Sequence, residues 1–275
     1  MNWPEFHHEA MATTFAILIA DQPAEYARQA AAAAWRELDR LESELSRYIE
    51  SSDIARANRL ACGDTLTLGE EAFECLLIAA GISVATNHAF DVAYASEGAP
   101  DRPAFTLDPE NHSLTSHATR LHLDLGAVGK GYALDHLAAL LREWQISSAC
   151  LQSGGSTALA LGPPSGTDGW PVGLGEGATR RIFSLSHAAL SGSGIAVKGE
   201  HLIDPRTGEP AGRIDRAWAF APGAAVADAL STAFFVLPDA EIAGFCTAHP
   251  EIGAAVATPG GTLEFYGALK PRLST

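Results

Sequence analysis

Residues 121–144 read LHLDLGAVGKGYALDHLAALLREW. Leu121, Leu123 and Leu125 alternate with His122 and Asp124, the period-two pattern of a half-buried strand. GAVGKG then supplies a flexible turn, and residues 132–144 carry a helical pattern. A strand, a turn and a helix start bring several backbone N–H groups to one point, where they can meet a phosphate. Lys130 adds a point charge there, and Asp124 lies on the polar face of the strand. The stretch is not a Walker A loop: Asp124 stands five before Gly129 where Gly is required, and Gly131 follows the lysine where Ser or Thr is required. The G-x-G-x-x-G spacing of dinucleotide folds is absent as well. A plain strand-to-helix turn with a solvated lysine accounts for this stretch equally well.

Strand and helix patterns alternate on both sides of it, without a linker, a fixed repeat or a low-complexity tract. Residues 13–20 are β-branched and apolar, a strand. Asp21 is expected to cap a helix with Pro23 in its first turn, running to about Tyr48 with Ala34, Leu38, Leu41 and Leu45 as its apolar stripe. A second helix should follow Gly69, with Phe73, Leu76, Leu77 and Ala80 facing inward. Residues 99–117 read as loop with a short hairpin strand, and residues 149–185 as several short strands with Gly and Pro turns. A helix from about Ala227 to Val236, another after Pro238, and strands near Gly253 and Thr262 complete the chain. The fold class is α+β: mixed or antiparallel sheets with packed helices. Residues 1–275 are expected to form one catalytic domain, a compact unit or two closely packed lobes.

Composition narrows the function. The 33 acidic residues outnumber the 18 Lys and Arg, a formal charge of −15 with no basic stripe, which argues against a nucleic-acid binder. An acidic protein that handles phosphates needs a metal ion to offset the repulsion. The four cysteines, Cys62, Cys75, Cys150 and Cys246, form no C-x-x-C pair and read as buried apolar residues. No stretch is long and apolar enough to span a membrane, and MNWPEFHHEAMATTF has neither the basic start nor the apolar centre of a signal peptide. The expected location is cytoplasmic.

Several residues could carry chemistry. Asp228 and Thr232 lie four apart in ADALSTAFF, so they project from one helix face as hard oxygen ligands suited to Mg²⁺. A solvated Asp, with Thr232 bonded back to its own turn, is the blander account of that pair. In HLIDPRTGEP, His201 has Asp204 nearby and could act as a general base. Arg206 could hold a phosphate, although a β-turn whose Asp caps its own backbone is a common alternative. Gly154-Gly155 and the glycines of residues 191–194 permit close approach of a ligand, or are simply turns. His7 and His8 are expected near a mobile terminus, and His112, His117 and His122 on the surface.

Together these motifs resemble the flavin transferase (ApbE) family, the FAD:protein FMN transferases. The matching elements are MATTF (11–15), LSRY (45–48) with Asn58, AFDV (89–92), DLGAVGKGYALD (124–135), SGG (153–155), SGSG (191–194), HLIDPRTG (201–208) and ADALSTAFFVL (227–237). The resemblance implies an ApbE-like, T-fold-related architecture. It also implies an Mg²⁺-dependent enzyme that moves the FMN half of FAD to a Ser or Thr of an acceptor protein and releases AMP. On this chain the metal would be held by Asp228, Thr232 and the carbonyl of Ala127. FAD would contact Met11, Tyr48, Ala89, Phe90, Asp91, Asp124, Lys130 and Leu202, with aromatic faces from Tyr48 and Phe90. His201 would be the base, and Asp228 the other catalytic residue. An FAD pyrophosphatase and a non-catalytic flavin-binding protein would share these features. Asp228→Ala is expected to spare the fold, because a ligand carboxylate is not a core residue. The chain departs from the family pattern at Ala12, usually glycine, at His88, usually small, and at Ser231, acidic in some relatives. The stretch between SGSG and HLIDPRTG is compact and lacks a common aromatic residue.

Overall fold

The computed structural model describes residues 3–98, 103–175, 180–194, 203–259 and 262–269. Strands β1 (Glu5–Ala10) and β2 (Thr13–Ile19) form a hairpin, followed by helices α1 (Ala24–Leu45) and α2 (Asp53–Ala57). Next come β3 (Thr65–Thr67), α3 (Glu70–Ala85) and the hairpin β4 (Phe105–Asp108) with β5 (Ser113–Ser116). Helix α4 (Gly129–Glu143) precedes β6 (Ala149–Ser153), β7 (Thr157–Ala160), β8 (Trp170–Leu174) and β9 (Arg181–Leu185). Strands β10 (Ala188–Gly194) and β11 (Arg216–Ala221) lead into α5 (Ala224–Val236) and α6 (Asp239–Ala248), and β12 (Gly253–Ala257) and β13 (Leu263–Gly267) follow.

Eight strands pair antiparallel in the order β1-β2-β6-β7-β10-β11-β12-β13. Smaller antiparallel sheets are β3-β5-β4 and β8-β9. The fold is therefore α+β with antiparallel sheets, as expected. Period-two alternation splits the large sheet's side chains between two cores. Phe15, Ile17, Ala217 and Ala219 join the helices, while Leu190, Trp218 and Phe220 pack with Trp170 and Phe183 of the β8-β9 hairpin.

Several boundaries differ from the sequence reading, each for a local reason. Helix α1 begins after Pro23 without a side-chain cap and ends at Leu45. The residue before a proline is held out of the helical region, so Asp21 lies too far back to cap. It adopts a left-handed φ of 58° and accepts from the Ser165 N–H at 2.8 Å. On α3 the buried stripe is Ala72, Phe73, Cys75, Leu76 and Ala79, which leaves Leu77 exposed and Ala80 half-buried. Residues 121–125 alternate in burial as expected but form no strand. Their backbone groups are taken by other partners, so no ladder is needed. Asn58 brackets Leu123, donating Nδ2 to its carbonyl at 3.0 Å and accepting its N–H at 2.6 Å. His122 donates its N–H to Ser96 Oγ, and Asp124 to the Val92 carbonyl.

Helices α4 and α5 each start three residues earlier than expected, where they meet. A Cβ on Gly131 would lie 2.2 Å from the Ala224 carbonyl oxygen, so only glycine lets the two backbones approach this closely. Asp135 on α4 caps α5, accepting from the N–H groups of Ala224 and Ala225 at 2.8 and 2.9 Å. Burial raises the Asp135 pKa above the usual aspartate value, and the two N–H groups oppose that rise. His7 and His8 lie on β1, with His8 stacked on Trp35 and 2.6 Å from Asp39, so this segment is tied into the sheet. Cys62 is exposed, unlike the other three cysteines.

Met11 and Ala12 form the two-residue turn between the paired residues Ala10 and Thr13, with φ of 50° and 57°. Two successive positive φ values define a type I′ hairpin turn, which favours glycine at its second position. Ala12→Gly is expected to stabilise the protein by roughly 0.5–1 kcal/mol, read as a rise in the denaturant midpoint, by removing the left-handed strain of an alanine. Asp135→Ala is expected to cost about 1–2 kcal/mol in the same measurement, through loss of the α5 cap.

Candidate active site

Two pockets of about 440 Å³ each open beside the start of α4. One is bounded by the β1–β2 turn and the end of α1, and includes Met11, Glu42, Tyr48, Asp124 and Lys130. The other includes Ala89, Phe90, Asp91, Tyr94, Ala127 and Thr232. Arg47, Asp124 and Gly126 line both, so the pockets meet at a neck. The expected FAD contacts among the described residues thus fall into one two-chambered site, shared with Ala127 and Thr232. His201 and Leu202 lie outside the described residues.

The segments are brought here by the contacts above. Asn58 fixes Leu123, which aims Asp124 at the neck, where Asp124 Oδ1 accepts from the Gly126 N–H at 2.8 Å. Lys130 folds its ammonium back onto the Gly126 carbonyl. Glu42 accepts from the Met11 N–H at 2.7 Å and ties the hairpin turn to α1. Tyr48 stands at the rim, 77% exposed, whereas Phe90 is only 3% exposed and forms wall rather than an open face. Asp91 accepts from the Ala93 N–H, yet burial pushes its pKa above the usual aspartate value.

Asp228 is the unusual group. It is 3% exposed, so neither the solvated Asp nor a carboxylate outside the core describes it. Its oxygens receive only two long bonds, from Ser191 Oγ at 3.2 Å and the Gly131 N–H at 3.3 Å, and no cation pairs with it among the described residues. A buried carboxylate requires more than that, and a bound cation would supply it. One turn on, Thr232 Oγ1 lies 3.1 Å from Ser193 Oγ and lines the second pocket. Because the Gly131 N–H turns to Asp228, the carbonyl of Ala127 receives no hydrogen bond among the described residues. A carboxylate, a hydroxyl and a free carbonyl are oxygen donors of the kind Mg²⁺ takes, with its remaining positions left to water and phosphate oxygens. The residues present therefore fit an Mg²⁺ ion. No cluster of three or more His, Cys, Asp or Glu suits a metal among the described residues, which is consistent with a site of one carboxylate.

Sequence reasoning missed Ser191 and Ser193. Both lie on the α5 side of β10, and they brace Asp228 and Thr232 from below. Their period-two spacing was the available signal, but the intervening glycines drew the reading toward ligand approach. Gly192 in fact packs under the Trp218 ring, and Gly154 against Thr13. Arg206 is also reassigned. Its guanidinium and N–H bond Asp204 at 2.8–3.2 Å, the self-capped turn, so it is not free to hold a phosphate. Burial raises the pKa of Cys75, assisted by the nearby Asp228 charge, so this thiol stays protonated and inert.

The profile of the ApbE family matches residues 11–256, nearly the whole described chain. The chain belongs to the ApbE family. Among curated relatives, the FAD:protein FMN transferase of Treponema pallidum is 32% identical over 148 residues, 46% of this chain and 41% of that protein. The FAD:protein FMN transferase of Klebsiella pneumoniae is 30% identical over 131 residues, covering 42% and 37% respectively. The matched stretches thus span about two fifths of those relatives' own length. The solved flavin transferase ApbE of Vibrio cholerae superposes with a TM-score of 0.85 at 19% identity, covering 99% of this chain and all of that one. The ApbE protein of Thermotoga maritima gives 0.81 at 22% identity, with both chains fully covered. These structures share the fold of this ApbE-family protein. No described helix is long and apolar enough to cross a membrane.

Burial of Asp228 changes what its replacement does. In this ApbE-family chain, Asp228→Ala leaves the Gly131 N–H without its acceptor, while Ser191 keeps Thr157 Oγ1 at 2.8 Å, and is expected to be about 1–3 kcal/mol less stable than Asp228→Asn. Asp228→Asn keeps an acceptor for the Gly131 N–H and removes the under-compensated buried charge, so in chelator it is expected to be at least as stable as wild type. Chemical denaturation of the two variants measures the difference.

Proposed function

We propose that this protein transfers the FMN moiety of FAD to a Ser or Thr hydroxyl of an acceptor protein, with Mg²⁺, and releases AMP. The observation that carries the reading is the under-satisfied, buried Asp228 beside Thr232 and the open Ala127 carbonyl, at the edge of a two-chambered site. Its relatives' names and the family motifs agree with it. Two chambers joined by a neck suit a dinucleotide, whose two ring systems are joined by a diphosphate.

In the reaction, the acceptor oxygen attacks the phosphorus on the FMN side of the diphosphate. A new P–O bond forms there, the P–O bond to the AMP phosphate breaks, and AMP leaves with the electron pair. A Ser or Thr hydroxyl is a weak nucleophile at neutral pH, so its proton has to be taken up, and His201 is the residue assigned to that. When bound, Mg²⁺ neutralises phosphate charge, held by Asp228, Thr232 and the Ala127 carbonyl. Asp124 at the neck and Lys130 in the first chamber position the substrate, and Tyr48 offers its exposed ring for stacking, worth on the order of 0.5–1.5 kcal/mol beyond burial. Phosphoryl transfer of this kind depends mostly on positioning and charge stabilisation, which the polar side chains at the neck would supply.

Incubation with FAD and Mg²⁺, with and without a Ser/Thr acceptor peptide, followed by mass analysis, tests the proposal. The expected result is a peptide carrying phosphoriboflavin, together with free AMP, and no reaction in excess chelator. Release of FMN and AMP from FAD in the absence of an acceptor would identify a pyrophosphatase, and intact bound FAD a binding protein. His201→Ala is expected to reduce transfer far more than FAD affinity, and an equal loss of both would remove the base assignment.

A further inference from the structure

Arg47 occupies the neck of the site; it is the third residue of the LSRY element, in which the resemblance gives a role to Tyr48 alone. Among the described residues it is the only cation that lines both pockets. Its closest partners are uncharged, and its ion pair with Asp124 is a loose one. Nη2 donates to the Tyr48 hydroxyl at 2.6 Å, and the guanidinium carbon lies 4.6 Å from the Tyr48 ring centroid. Nη1 lies 3.1 Å from His122 Nε2, which can only accept here because a guanidinium has no acceptor. Among the described residues its ion-pair partner is Asp124, 3.5 Å from Nη2, beyond the 2.7–2.9 Å of a tight charge-assisted bond.

The tight contacts are thus to neutral groups, and donors of the five-N–H fork remain available. Arg47 is also only partly exposed, with 28% of its side chain reaching solvent, so its charge faces the cavity. A planar fork fixed by a ring, a hydroxyl and an imidazole is pre-organised for a bidentate phosphate contact. Its place between the chambers matches the part of a dinucleotide that lies between its two ring systems.

We propose that Arg47 grips the diphosphate bridge of the dinucleotide at the neck between the two pockets, with Tyr48 and His122 holding its fork in register. This rests on the FAD reading above and assigns that site a specificity residue. Arg47 selects ligands that carry phosphate at the neck, whereas the pocket walls bind the rings.

The test is the affinity of the full chain for FAD, ADP and riboflavin, measured in chelator so that nothing turns over, for wild type, Arg47→Gln and Arg47→Lys. Arg47→Gln is expected to weaken FAD and ADP by roughly 10- to 100-fold and riboflavin by less than twofold. Arg47→Lys, which keeps the charge but not the fork, is expected to fall in between. FAD and ADP affinities in Arg47→Gln within twofold of wild type overturn the proposal. So does an equal loss of riboflavin, which marks collapse of the pocket instead. Should Arg47→Gln fail to fold, a folded Arg47→Lys variant with undiminished ADP affinity overturns it as well. A wild-type chain that binds no FAD overturns the FAD reading itself and this assignment with it, whereas normal wild-type binding with an unchanged variant removes only Arg47.

Discussion

Helix α5 is buried on almost every side, and it carries a carboxylate there. Ala225, Ala229, Leu230, Phe234 and Phe235 have almost no exposure, and Asp228 sits among them with two long hydrogen bonds. Burying a charge without full compensation is costly, and a fold retains it only where something else repays the cost. Much of the surrounding architecture reads as a setting for that group. Ser191 and Ser193 reach up from β10, α4 offers the Gly131 N–H, and Asp135 secures the start of the helix. The Gly131–Ala224 contact sets the distance between the two helices and hence the position of the Ala127 carbonyl relative to Thr232.

The rest of the site is built by segments that have little regular structure of their own. Residues 121–125 run extended between elements, held by the Asn58 side chain and by single bonds to Ser96 and Val92. Such side-chain brackets fix a strand-like segment without using up an edge, which leaves one side of Asp124 open to a ligand. The type I′ turn at Met11–Ala12 closes the first chamber, and its attachment to Glu42 makes α1 part of the same wall. Arg47 and Tyr48 follow directly where α1 stops, so the termination of that helix at Leu45 is what turns them toward the neck.

Much of the element order could be read from the sequence, because apolar period and turn residues are local. The stripe Ala34, Leu38, Leu41 and Leu45 lies in the core as its spacing implies, and Leu121, Leu123 and Leu125 are buried as their alternation implies. Boundaries were less legible. Asp21 lost the cap position because of the proline two residues on, and Leu77 lost its burial because the α3 stripe turns away from it. Alternation alone did not distinguish a strand from an extended segment pinned by side chains, since both bury every second residue.

By itself the sequence determined the α+β class, the long helices, the ApbE motifs and the residue types able to bind a dinucleotide and a hard cation. These follow from local pattern and from side-chain chemistry, which a chain carries before it folds. Only the tertiary structure decided which of those residues act together. It made Asp228 a buried group rather than a solvated one, tied Arg206 to its own turn, and brought Ser191, Ser193 and Arg47 into the site. Apart from the local Arg206 turn, those outcomes depend on contacts between residues 37 to 97 positions apart, such as Ser191 with Asp228, Arg47 with His122 and Gly131 with Asp228, and no local pattern encodes a distance across the fold.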